Sequence, residues 1–283
     1  MSTPKVHRAG EWDDGITPEL AGWTYVSTTV HRLAAGATQS FTLTGSEAAV
    51  VPLSGRMEVA SAGQQWSLGG RASVFDGLGW CLYLPVGAAF DVTADTDVEF
   101  VVSSTPATHE YPAKLVTPDD VAIDVRGGGN ASRQIGNLIT PEFPADRIHV
   151  IEVWTPAGNW SSFPPHKHEV DRDGETELEE TYYYRLRDAE NGWAIQRVYS
   201  PERDNFDLVE TVRDGDICTI PWGYHTTVAA HGHDLYYLNI LAGPAPERSL
   251  VAHFDEHLAG TRDAWPELGQ DPRLPIIPRH PHP

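Results

Sequence analysis

Two imidazoles stand two positions apart in His166-Lys167-His168. On a β-strand successive side chains alternate between faces, so both histidines share one face, and inside a barrel that face can be the interior. A third imidazole, His225, follows the turn Pro221-Trp222-Gly223-Tyr224 and starts a further strand-like run. Glu180 opens Glu180-Thr181-Tyr182-Tyr183-Tyr184-Arg185, where alternation puts Glu180, Tyr182 and Tyr184 on one face. Three imidazoles and one carboxylate suit a divalent zinc, manganese, iron or nickel ion and leave coordination positions open to substrate oxygens. A lone HxH is more often a solvated pair. The later Glu and the His after a Pro-x-Gly turn turn this one into a metal-site prediction with ligands His166, His168, Glu180 and His225. His280 and His282 also form an HxH, but without strand context or a carboxylate, and they read as inert.

The elements that must hold these residues are strands. Among 283 residues, 25 glycines and 22 prolines separate short apolar or alternating runs rich in Val, Ile, Thr, Tyr and Trp. Such runs are Ala48–Leu53 before a Ser54-Gly55 turn, Cys81–Leu84, Val98–Ser103, Ile148–Trp154, Thr181–Leu186, Trp193–Tyr199, Ile217–Ile220 and Leu235–Leu241. Helix is confined to single turns near Thr117–Asp120 and Asp255–Leu258. The pattern G-x5-P-x-G of Gly79–Gly87 recurs at Gly215–Gly223, 136 residues later, about half the chain. The fold class expected is all-β: two tandem jelly-roll-like β-barrels, residues 1–126 and 127–283, joined at the flexible Arg126-Gly127-Gly128-Gly129-Asn130. The Pro-rich end, Leu274–Pro283, trails on the surface or lies along a neighbouring copy, which leaves a homo-oligomer open. Cys81 and Cys218 lack CxxC spacing and read as core residues.

Forty acidic against twenty basic side chains give a formal charge of −20. That field repels nucleic acid and anionic membrane surfaces, so neither is a partner, while a small anion is admitted wherever a cation is placed locally. No run of about 18 apolar residues occurs, and Met1–Thr17 lacks a signal-peptide core, which predicts a cytoplasmic chain.

The two G-x5-P-x-G copies, the HxH, the Glu and the His resemble the cupin superfamily in its two-barrel (bicupin) form. Further blocks are similar to the bacterial 5-deoxy-glucuronate isomerase family of myo-inositol catabolism: Val51-Pro52-Leu53-Ser54-Gly55, Gly129–Gln134, Phe143-Pro144-Ala145-Asp146-Arg147, Gly158–Ser162, Pro164–His168, Tyr182–Arg185, Gln196–Tyr199 and Asp234–Asn239. The resemblance spans roughly residues 7 to 245. It implies an isomerase that converts an aldose acid, 5-deoxy-glucuronate, into its ketose with one divalent metal per chain, zinc or manganese ahead of iron. General cupins place the carboxylate three or four residues after the HxH, near Asp173. Glu180, 12 positions after His168, is preferred because Val170–Glu177 reads as a polar hairpin loop and because the family places the ligand just before the aromatic strand.

For the substrate carboxylate, Arg185 and Arg197 are the expected partners, ahead of Lys167, which alternates away from its flanking histidines. Tyr182 and Tyr184 are candidate donors to sugar hydroxyls, so catalytic duty falls on Glu180, Tyr184 and Arg185. Trp160 and Trp222 are expected to pack. The first half has Ala89 at the position equivalent to His225 and is expected to bind no metal. Competing readings are an iron-dependent cupin dioxygenase and a non-catalytic sugar-binding cupin.

Overall fold

The structure is a computed structural model that describes residues 2–12 and 15–281; His282 of the tail HxH lies outside them. Its strands, in chain order, are β1 (Lys5–His7), β2 (Ser27–Leu33), β3 (Thr38–Thr42), β4 (Ser46–Ser61), β5 (Gln64–Arg71), β6 (Cys81–Leu84), β7 (Ala89–Ala94), β8 (Val98–Pro106), β9 (Lys114–Val116) and β10 (Ala122–Arg126). They continue with β11 (Arg133–Ile139), β12 (His149–Thr155), β13 (Trp160–Lys167), β14 (Glu179–Leu186), β15 (Ala194–Ser200), β16 (Phe206–Val212), β17 (Ile217–Ile220), β18 (Tyr224–Ala229), β19 (Leu235–Ala242) and β20 (His253–Phe254). Helix is limited to short pieces such as α1 (Pro18–Ala21), α2 (Glu256–Ala259) and α3 (Trp265–Leu268), and no helix among the described residues is long and apolar enough to cross a membrane. Asp255 caps α2 by accepting from His257 N, as the sequence suggests, whereas Thr117–Asp120 closes only a hydrogen-bonded turn.

In the first half, β4 serves two layers. Its early residues pair with β8 and β6, and its later ones with β5 and β7. Ser54-Gly55 is therefore a bend inside one strand and not its end. Gly55 has φ +79°, and a Cβ there would stand 2.1 Å from the carbonyl of Asp97, so only glycine makes this corner.

In the second half a seven-stranded sheet, ordered β1-β17-β14-β19-β12-β11-β10, faces a five-stranded sheet, β16-β15-β18-β13-β20. Tyr182, Tyr184, Cys218, Leu235 and Tyr237 fill the space between them. The other face of the larger sheet packs on the first half through Tyr183, Ile217, Tyr236, Leu238 and Trp154 against Val26, Ala49, Val51, Leu53 and Tyr83. A sheet covered on both faces has no solvent face, which explains why Tyr182–Tyr184 and Leu235–Leu238 read as unbroken aromatic and apolar runs. Both repeat copies deliver the equivalent strand: β6 lies between β4 and β9, and β17 lies between β14 and β1. Cys81 and Cys218, buried and unbridged, sit in those two strands.

Strand pairing crosses the expected boundary in two places. β1, from the extreme N-terminal segment, pairs with β17, and β10 pairs with β11, so Gly127–Asn130 forms the loop of a hairpin within one sheet. The Pro-rich end also folds back. Ile277 is buried in the shared core, Gln134 holds its backbone N–H and C=O at 2.9 and 3.0 Å, and Arg279 donates to the carbonyl of Val121 at 3.0 Å. The apolar pair Ile276-Ile277 inside the proline run supplies that anchor.

A buried ion pair also ties the halves. Arg71 Nη2 lies 2.7 Å from Glu152 Oε1, while Glu152 also accepts from the backbone N–H of Gly79 at 2.7 Å and the hydroxyl of Tyr236 at 3.0 Å. A Cβ at Gly79 would come within 2.6 Å of that carboxylate. Gly79→Ala is expected to cost about 2–3 kcal/mol, against about 1 kcal/mol for Gly87→Ala, whose left-handed φ of +77° meets no neighbouring atom. Urea denaturation midpoints measure both, and equal losses would contradict the close-approach argument.

Candidate metal centre and cavity

Three of the four expected ligands converge. Glu180 Oε2 lies 2.8 Å from His168 Nε2 and 3.0 Å from His225 Nε2, with all three side chains buried. Glu180 sits in β14 opposite Ile220 and Leu241, His225 begins β18, and His168 follows directly on β13. Mutual hydrogen bonds between His168 and Leu178 close the loop between them: Leu178 N donates to the His168 carbonyl at 2.9 Å, and His168 Nδ1 donates to the Leu178 carbonyl at 2.7 Å. Asp173 is exposed near the tip of that loop, beside the Arg172–Glu175 bridge, which removes it as a rival ligand. Glu179 points the opposite way and accepts from the backbone N–H groups of Thr24, Tyr25 and Val26.

The donor set fits a cation. A carbonyl only accepts, so His168 Nδ1 must carry its proton toward Leu178, and His225 Nδ1 likewise toward the carbonyl of Gly223 at 3.0 Å. Both Nε2 atoms then face an anionic oxygen, with His168 Nε2 at hydrogen-bond distance from it. His225 Nε2 is buried without a hydrogen-bond partner despite its closeness to Glu180. A cation shared by the three side chains would balance the buried carboxylate and occupy both ring nitrogens at once. Burial acts to raise the Glu180 pKa, but His225 and His168 outweigh it and hold the carboxyl well below its ordinary range. At His168 burial opposes the charge, yet the Glu180 carboxylate prevails and raises the pKa.

His166 is paired in register with His225, and their ring centroids are 4.6 Å apart, but its nitrogens stay outside the close group. Burial, followed by the neighbouring His225 and His168, lowers its pKa well below the usual value, so it is a neutral imidazole. It lines a cavity of about 800 Å³ together with His168, Glu180, Tyr182, Arg133 and Asn239.

The remaining expected residues divide. Tyr182 reaches the cavity, with its hydroxyl 3.3 Å from Ser162 Oγ and its ring stacked on Tyr237 at 4.4 Å. Tyr184 does not: it is buried in the barrel core and donates to Gln196 Oε1 at 2.7 Å. Arg185 is turned to the opposite face by strand alternation, where it pairs with Glu99 of the first half and with Asp214 at 2.9 Å. Arg197 is spent on a two-pronged bond to Asp207, both contacts 2.8 Å, and its guanidinium lies over Tyr199. Lys167 faces away from the histidines and binds Glu169 at 2.7 Å. Trp160 packs on Phe163, and Trp222 on Phe206. Sequence reasoning missed Arg133 and Asn239. Arg133, Ile135 and Asn137 alternate onto the cavity wall from β11, a signal hidden by the adjacent glycine-rich segment.

A model of the KduI/IolB family matches residues 2–260. The chain belongs to the KduI/IolB family. This family member is 40% identical over 232 residues, 81% of this chain and 83% of the relative, to the 5-deoxy-glucuronate isomerase of Geobacillus kaustophilus (strain HTA426). Against the protein of the same name from Bacillus subtilis (strain 168) it is 35% identical over 233 residues, 81% of this chain and 85% of the relative. Among solved structures, an IolB-like protein from Salmonella typhimurium LT2 matches with a TM-score of 0.85 at 35% identity, covering 90% of this chain and 97% of that one. A Bacillus subtilis oxalate decarboxylase matches with a TM-score of 0.60 at 13% identity, covering 100% and 86%, and shows that this KduI/IolB chain has the cupin fold.

Zinc at about 100 times its Kd is expected to stabilise the wild type by about 2.7 kcal/mol, seen as a raised Tm. His168→Ala and His225→Ala should abolish the rise; an undiminished rise in either variant would show that the ion binds elsewhere.

Proposed function

We propose that this chain is a metal-dependent aldose–ketose isomerase converting 5-deoxy-D-glucuronate to 5-dehydro-2-deoxy-D-gluconate in the myo-inositol catabolism of the cytoplasm. The observation that carries the reading is the convergence of His168, Glu180 and His225 beside a cavity large enough for a hexose acid. The similarity to proteins named 5-deoxy-glucuronate isomerase supplies the substrate.

His168, Glu180 and His225, with His166 as the fourth ligand, would hold one divalent ion, zinc or manganese in preference to iron. When bound, such an ion polarises a carbonyl and an adjacent hydroxyl oxygen as a Lewis acid and holds the two carbons in register. The carbonyls of Leu178 and Gly223 keep the His168 and His225 rings oriented, so the site is organised before substrate arrives. Burial, helped by the Glu180 carboxylate, raises the Tyr182 pKa well above its usual value, so the phenol stays protonated and serves as a donor to a sugar hydroxyl. Tyr184 and Arg185, placed elsewhere, act through the fold. The first half supplies packing to the larger sheet and no ligand to the close group.

Proton NMR of the zinc-loaded protein with 5-deoxy-glucuronate under nitrogen tests the reaction. The anomeric signal should disappear as ketose resonances grow, and His168→Ala should lose metal and turnover together. An absolute requirement for oxygen would favour the dioxygenase reading, and full turnover by metal-free protein would refute metal dependence.

A further inference from the structure

Most arginines of this strongly acidic chain are already engaged by carboxylates, including both arginines expected to receive the substrate's acid group. Three cations line the cavity: Lys114, Arg126 and Arg133. Arg126 is half occupied by Asp124 at 3.1 Å and is exposed, while Lys114, also exposed, lies over the Phe143 ring at 4.9 Å. Arg133 differs. It is partly buried, and its hydrogen-bonding is limited to one long contact, from Nη1 to the carbonyl of Ala131 at 3.4 Å. Among the described residues no carboxylate lies within ion-pair distance of it. A guanidinium offers five donors in a planar fork suited to a carboxylate, and one removed from water without a counter-charge is costly unless a ligand provides that charge.

The surroundings supply the other end of such a ligand. Arg133 stands on the same inner sheet face as Tyr182, Tyr237 and Asn239, in the cavity that His166, His168 and Glu180 also line. Asn239 faces Tyr182 in register and has a buried Oδ1 without a partner, a free acceptor on the wall between the two ends. Acidic side chains along the same cavity, Asp120, Asp124 and Glu142, would otherwise disfavour an anion. Burial is the main influence lowering the Arg133 pKa, which agrees with a cation held away from solvent and without an anionic neighbour.

We infer that Arg133 receives the carboxylate of the sugar acid inside the cavity and thereby directs its carbonyl end toward the His168–Glu180–His225 group. Arg133 is a specificity-determining residue in this assignment. The inference rests on the isomerase reading for the identity of the acid, but not for the recognition of a carboxylate.

The test compares 5-deoxy-glucuronate with 5-deoxy-glucose, which has a hydroxymethyl group in place of the carboxylate, using zinc-loaded full-length protein. Affinities come from the concentration dependence of ligand-induced thermal shifts, and turnover is followed in parallel. The wild type should bind the acid at least about tenfold more tightly than the neutral sugar, and Arg133→Met should erase that preference, weakening acid binding about 30-fold and raising KM more than it lowers kcat. Arg133→Lys, which restores charge without the fork, should recover part of the preference and controls for misfolding of the methionine variant. Survival of the acid preference in Arg133→Met, or no preference in the wild type, overturns the inference even if isomerisation is observed. If the wild type shows an Arg133-dependent acid preference but no isomerisation, the isomerase reading falls and the carboxylate site stands.

Discussion

A buried carboxylate faced by two imidazole nitrogens is the constraint around which the second half of this protein is arranged. Glu180 lies within 2.8–3.0 Å of both His168 and His225. Backbone carbonyls hold the far nitrogen of each ring, which fixes both Nε2 atoms toward the carboxylate. Charge buried in this way is tolerable only when it is compensated. A divalent ion satisfies all three donors at once, which is why the same three side chains that would be a liability in an apolar core form a functional centre here.

The larger sheet makes that centre rigid. Because both its faces are covered, strand β14 is buried on both sides: Tyr182 and Tyr184 pack into the barrel, while Thr181 and Tyr183 lie against the first half. Glu179 and Glu180, adjacent and opposite in direction, divide the same labour. One anchors the N-terminal segment by accepting three backbone N–H groups, and the other faces the cavity. The first half thus supports the site without contributing to the ligand group, and the buried Arg71–Glu152 pair fixes its position against the larger sheet.

Local periodicity made the strands legible, and with them the shared direction of Glu180, Tyr182 and Tyr184. It said nothing of which neighbours cover a residue. Tyr184 points the same way as Glu180 but is closed into the barrel core with its hydroxyl on Gln196, while Tyr237, opposite it in register, reaches the cavity. Arg185 shows the converse error: its parity already places it with Thr181 and Tyr183, and the demand for a cation overrode that signal. Arg133 and the Ile276-Ile277 anchor depend on pairing between distant segments, β10 with β11 and the tail with Gln134, which composition cannot express. Gly127–Gly129 reads as a linker for the same reason, since a hairpin loop and an interdomain hinge use the same residue types.

Anomalous diffraction at the zinc absorption edge, from crystals of the zinc-loaded protein, tests the central claim most directly. The account predicts a single strong peak per chain within bonding distance of His168 Nε2, His225 Nε2 and a Glu180 oxygen, with His166 turned in as the fourth protein ligand. A peak elsewhere, or an ordered site in which Glu180 remains bonded only to the imidazoles, would contradict it.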